Sequence, residues 1–288
     1  MLIQSTKIDR RSYLYSACAG LLLVFLQVST PTFADDPGAE VEQLASEDQS
    51  TLLPSLGRDW LEDQGFNLEL LAINDNWANL RGGNYRGVGS MGNLNAILTI
   101  DTAKAGWWEN GSFTLYGIWV YGRRPSQAVG DFQYTSSIDG PVPELEPYEA
   151  YYEHSFMDGR LKWLGGIHDL TLDFATLDFA FNYINSSFTT PSTITQLPYS
   201  FYPNTSWGTR AIYQITEEAY SMLGFYDGQP ATLDRLQSTN FGISAQEGVY
   251  SIAEVGYKGS MSGYYTKLLM GAWHCSGKFT DVAGDEKR

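Results

Sequence analysis

Cysteine is nearly absent, with two in 288 residues, and so is histidine, with three. Cys18 lies in a leader segment, so one thiol, Cys275, is left for the rest of the chain. That excludes an internal disulfide and a cysteine metal site. His154, His168 and His274 lie far apart without ligand spacing, so no metal or cofactor is expected. Basic residues are also scarce: 18 Lys and Arg stand against 33 Asp and Glu, a net charge of −15. Nucleic acid is a poor partner for such a surface. Beyond the leader no apolar run reaches the ~20 residues that a membrane-spanning helix needs.

The leader has three parts. "MLIQSTKIDRR" is basic, "SYLYSACAGLLLVFLQV" is apolar, and "TPTFA" puts small residues Thr32 and Ala34 before a cut. This is the pattern of a cleaved secretory signal peptide over residues 1–34. Its apolar run is short for a membrane anchor, and Cys18 precedes that run instead of ending it, which disfavours a lipoprotein signal. Residues 35–57 are acidic and aperiodic and read as a mobile leader.

From Phe66 onward the chain alternates. Phe66, Leu68, Leu70 and Ala72 share one strand face; Leu94, Ala96, Leu98 and Ile100 share the next. Phe113, Leu115, Trp119 and Tyr121 follow, then Tyr148, Ala150, Tyr152 and Phe156, then Leu161, Trp163 and Ile167, then Thr209, Ala211 and Tyr213. With "AYSMLGFYD", "GVYSIAEVGYK" and "YYTKLLMGAWH", about nine strands are visible, and no helix outside the loops. "GVGSMG" matches a dinucleotide-binding glycine pattern, but a strand follows it where a helix is required.

The connections carry more information than the strands. Those at 103–111, 157–159, 217–218 and 259–263 are short. Those at 76–90, 122–147, 169–207 and 228–246 are long, and the two kinds alternate strictly. An outer-membrane β-barrel has this asymmetry, with short periplasmic turns and long external loops. If the apolar face meets lipid, Arg160, Lys162, Arg210 and Lys267 all fall in the lumen. The reverse assignment costs ~2–4 kcal/mol for each Arg or Lys near the midplane. A soluble β-sandwich remains the competing fold.

Several segments together resemble one family. "YYEHSFMDGRLKWLGGIHDLTLDFATLDFAFNYINSSF", "GTRAIYQITEEAYSMLGFYDGQPA", "AEVGYKG…GAWHCSGKF" and "WANLRGGNYRGVGSMGNLNAILTIDTAKAGWW" are similar to the carbohydrate-selective porins, the OprB family of bacterial outer membranes. The resemblance implies an all-β, antiparallel transmembrane barrel of about sixteen strands through which sugars diffuse. It implies carbohydrate solutes and outer-membrane lipid as partners, and no catalytic residue. The alternatives are an exported glycan-binding β-sandwich and an outer-membrane barrel enzyme.

In porins of this type a long loop folds into the barrel, and the segment 169–207 stands where that loop belongs. Its Leu and Phe residues would pack on the inner wall. Asp169, Asp173, Asp178, Asn182 and Asn185 would then face the water path and exchange hydrogen bonds with sugar hydroxyls. Arg210 and the pair Glu149 and Glu153 are further candidates, as opposed charges that set up a transverse field. Each aspartate has a plainer reading as a cap of a turn or short helix. With about nine strands visible, residues 58–288 are expected to form a truncated, curved partial barrel. Its first and last strands would be unpaired, and alone it would insert poorly or need a partner chain.

Overall fold

The structure is a computed structural model that describes residues 57–140, 144–185, 199–228 and 248–277, with the backbone of four short strand segments outside them. The readings of a cleavage site after Ala34, the leader 35–56, loop residues 186–198 and most of the connection 228–246 lie outside the described residues.

Nine strands form one antiparallel meander: β3 (Phe66–Asn79), β4 (Gly87–Asp101), β5 (Gly111–Gly122), β6 (Glu144–Phe156), β7 (Leu161–His168), β8 (Ser206–Gln214), β9 (Ala219–Asp227), β10 (Val249–Met261) and β11 (Tyr264–Cys275). Each pairs with the next in sequence, and the sheet stays open, because β3 and β11 do not meet. The period-2 alternation explains the strands directly, since successive side chains leave opposite faces of the pleat. A short helix, Arg58–Asp63, precedes β3 and closes on an Arg58–Glu62 pair four residues apart. Sequence periodicity did not reveal it, because six residues are too few to show a helical period.

The short connections are tight by local chemistry. Between β10 and β11, Ser262 and Gly263 take φ 56° and 82°, the double left-handed geometry of a two-residue hairpin turn. The long connections all leave the opposite end of the sheet. Two of them bend back over one face, here the inner face. On the outer face Leu70, Val88, Leu115, Leu145, Val255 and Met270 are exposed, an apolar surface without polar cover.

The inner face has its own core. Leu170, Phe174, Ala175 and Tyr199 from the loop after β7 pack against Met222, Tyr226, Tyr250, Ile252 and Cys275 of β9–β11. Glycine makes room for it. A Cβ on Gly208 would stand 2.1 Å from the ring of Tyr226, and one on Gly224 would meet Phe174. The second sheet that the described strands form is the two-stranded pair of Phe279–Thr280 with Glu286–Lys287, and a loop is the inner cover, so this is not a sandwich.

Three expectations need correction. Tyr148 is not on the outer face with Ala150 and Tyr152. The ladder between β5 and β6 shifts at Tyr116 and Gly117, and Tyr148 is buried with its ring edge-on to Tyr116. A bulge adds one residue to one strand and so resets which side chains point inward. Arg160 is not in the lumen: it sits in the exposed turn before β7, with its guanidinium 5.5 Å from the ring of Tyr213. Finally, while residues 18–28 remain on the chain, β11 is not an unpaired edge. Its free side pairs with β1 (Cys18–Ala19) and β2 (Leu23–Val28), in register Gln27 with Lys267 and Cys18 with Cys275. A bare strand edge is a template for any extended apolar segment of the same chain. Among the described residues no strand pairs with the other edge of β3.

Candidate functional site

The polar side chains of the inner face meet the loop after β7 at three points. The first is its root. Asp169 follows β7 directly and caps a 3-10 turn, Leu170–Leu172, accepting hydrogen bonds from the Thr171 amide (2.8 Å) and hydroxyl (2.7 Å). It also accepts from the Tyr202 amide (3.0 Å) and the Tyr148 hydroxyl, while its own amide donates to Glu149 Oε1 (3.0 Å). Asp169 is 1% exposed. Burial pushes its carboxyl above the usual carboxylate range, against these hydrogen bonds, which pull it down. Both oxygens are occupied, so Asp169 and Glu149 anchor the loop and present nothing to solvent. The two feet of the loop are close: Ser200 Oγ donates to the His168 carbonyl (2.6 Å), and the Leu170 amide to the Ser200 carbonyl (3.1 Å).

The second point is Arg210 on β8. Its Nε lies 2.6 Å from Asp173 Oδ2 and its Nη2 2.5 Å from Glu153 Oε2 on β6. One guanidinium thus ties a loop carboxylate to a strand carboxylate. Asp173 Oδ2 is also 3.4 Å from His168 Nε2. The remaining nitrogen, Arg210 Nη1, is buried and has no hydrogen-bond partner among the described residues.

The third point is Asp178. Lys267 Nζ of β11 stands 2.6 Å from its Oδ1 and 3.0 Å from Thr176 Oγ1. Lys258 of β10 comes within 3.3 Å, and the Tyr265 hydroxyl donates to it. Partial burial raises the Asp178 carboxyl, but the hydrogen bonds from Lys267 and Tyr265 outweigh that and hold it below the usual range. A depressed folded pKa stabilises the contact above the ordinary carboxylate value of about 4, and the contact is lost as pH falls through the folded value. Pepsin should therefore begin to cut between Leu177 and Phe181 only well below about pH 4 in the native chain. Asp178→Asn should remove that pH step. A step unchanged in the variant would mean that Asp178 does not hold the loop.

Sequence reading missed Glu254 altogether. It is buried on β10 and accepts from the Ala175 amide (2.7 Å) and the Tyr220 hydroxyl (2.9 Å). Ala175 takes φ 56°, a left-handed conformation that costs an L-residue about 1–2 kcal/mol. The ladder puts Glu254 on the inner face, and the loop's path shows why it is there. Asn182 is exposed and Asn185 half-buried at the end of the described part of the loop. The long connection after β5 leans on it: Ser137 N donates to the Ile184 carbonyl (2.7 Å) and Tyr202 Oη to the Ile138 carbonyl (2.9 Å). Within that connection, buried Asp139 pairs with Arg124 at 2.6 Å.

An open antiparallel meander, an apolar outer face and a loop ion-paired to the inner face are together the parts of a porin wall. The profile of the carbohydrate-selective porins, OprB family, matches residues 86–287. The chain belongs to the OprB family. This is a family of outer-membrane porins and not of enzymes. The high-pH structure of Pseudomonas putida OprB superimposes with a TM-score of 0.68 at 18% identity, over 80% of this chain and 58% of that one. The low-pH structure of the same protein gives a TM-score of 0.50 at 16% identity, over 81% of this chain and 67% of that one. At such identities the likeness is one of fold. The chain thus spans 58% of the length of the OprB chain it matches with the higher score. No curated protein sequence matches it.

Proposed function

We propose that this OprB-family chain forms part of the wall of an outer-membrane pore for passive diffusion of monosaccharides and small oligosaccharides, and that the loop 169–207 narrows that pore. The observation that carries this reading is the pairing of loop carboxylates with strand cations, Asp173 with Arg210 and Asp178 with Lys267, on the face opposite the apolar one. A loop fixed there by charge stands across the path of any solute that follows the inner wall.

The polar groups divide by exposure into two roles. Asp169 and Glu149 are buried and hold the root of the loop. Asp173, Glu153, Asp178 and Asn182 reach solvent, wholly or in part, and offer acceptors to sugar hydroxyls. Several weak contacts suit diffusion, since a solute must leave as easily as it enters. The outer face then meets lipid, the short turns face the periplasm, and the leader is removed on export.

The test is swelling of liposomes that carry the full chain, in an isotonic series from monosaccharide to trisaccharide. Swelling that slows as the sugar grows is the expected result. Rates equal to those of empty liposomes, from protein that resists alkaline extraction, would overturn transport while leaving membrane insertion intact.

A further inference from the structure

At the short-turn end of the sheet the outer face carries a feature that sugar transport does not use. Along β3–β8, the alternation of the described strands puts no carboxylate, ammonium or guanidinium on the outer face and one imidazole, His154 of β6. It pairs across the ladder with Gly111, the first residue of β5, and with Trp163 of β7. It therefore lies two residues from the strand end, about 7 Å above the turn. Aromatic rings surround it. The Phe156 ring lies tilted against it at 4.4 Å, and Tyr152 at 5.9 Å links it to Phe113, Trp108 and Trp163.

A hydrogen-bond relay fixes the proton on this imidazole. Trp108 Nε1 can only donate, and it donates to Tyr152 Oη at 2.6 Å. Tyr152 Oη lies 2.7 Å from His154 Nδ1. No other acceptor for the tyrosine proton occurs among the described contacts. Tyr152 therefore donates to Nδ1, and the neutral ring carries its own proton on Nε2. The result is an N–H donor held in an apolar, aromatic surface. In hydrocarbon an unpaired donor is costly, but near the interface acceptors are at hand. The two neighbouring turns carry one cation and one acid each, Lys104 with Glu109 and Arg160 with Asp158, so net charge does not choose the ligand. The donor and the ring shelf do: the shelf takes acyl chains and glycerol, and the N–H takes a phosphate oxygen at headgroup depth.

We propose that His154, with the ring shelf of Trp108 and Tyr152, is a binding site for the phosphodiester of a phospholipid in the periplasmic leaflet. The site rests on the reading that the outer face meets lipid. The probes are phosphatidylglycerol and a diacylglycerol with the same acyl chains, added to the full chain in detergent, with retained lipid counted by native mass spectrometry. The chain should hold phosphatidylglycerol and release diacylglycerol, which has the ester carbonyls but no phosphate. His154→Phe should lower phosphatidylglycerol retention several-fold, and His154→Gln, which keeps an N–H donor, should restore most of it, with strand content unchanged by circular dichroism. Equal retention of both lipids by the parent chain would overturn the site even if the phenylalanine variant failed to fold. Equal retention by parent and His154→Phe would also overturn it. A chain washed from vesicles by alkaline carbonate would instead overturn the membrane reading, and the site with it.

Discussion

Deleting residues 170–198 and joining Asp169 to Tyr199 through a short Gly-Ser linker should raise the swelling rate several-fold, most of all for the largest sugar that still enters. The sheet should survive. The feet of the loop already touch, through Ser200 and His168, so a short linker spans them without strain. Longer loops also cost little extra closure entropy, so removing this one neither helps nor harms the strands much by that route. The loss is local: Phe174 and Leu170 leave the inner core, and Tyr226 and Met222 become exposed to the water path. Unchanged strand content with unchanged size selectivity would show that the loop does not narrow the path.

Arg210→Met should have the largest effect of any single substitution in the site. Arg210 is 6% exposed and joins two carboxylates, so its removal leaves Asp173 and Glu153 facing each other without a cation. Breaking a buried pair from one side typically costs about 3–5 kcal/mol; the partial exposure of both carboxylates lowers that to roughly 2–4 kcal/mol. The triple variant Arg210→Met, Asp173→Leu, Glu153→Leu should recover most of the loss, because an apolar replacement of matched size leaves no orphaned charge. Urea denaturation followed by tryptophan fluorescence separates the cases. A triple variant as unstable as the single one would assign the loss to packing of the arginine stem and not to its charge.

The sequence by itself determined the strands, most of their faces and the place of the long connection after β7. Period-2 alternation is a local property: Leu94, Ala96 and Leu98 share a face whatever surrounds them, and the nine segments from Phe66 to Cys275 all form strands. The strict alternation of short and long connections was equally legible, since it needs only counting. Tertiary structure decided which charges meet. Asp173 and Arg210 are 37 residues apart, Asp178 and Lys267 89 apart, and nothing local to either partner encodes the distance between them. The same holds for Glu254, whose partner is a loop amide 79 residues away. Asp169 looked like its neighbours Asp173 and Asp178 in sequence. It differs because it sits at the junction of β7 and the loop, where amides of the turn and of Tyr202 converge on it. Tyr148 was misplaced for a related reason: alternation assumes an unbroken ladder, and one extra residue opposite Tyr116 and Gly117 turns the ring inward. Local spacing fixes which face a residue takes only while the ladder stays regular, and pairing across the inner face depends on how the whole chain curves back on itself.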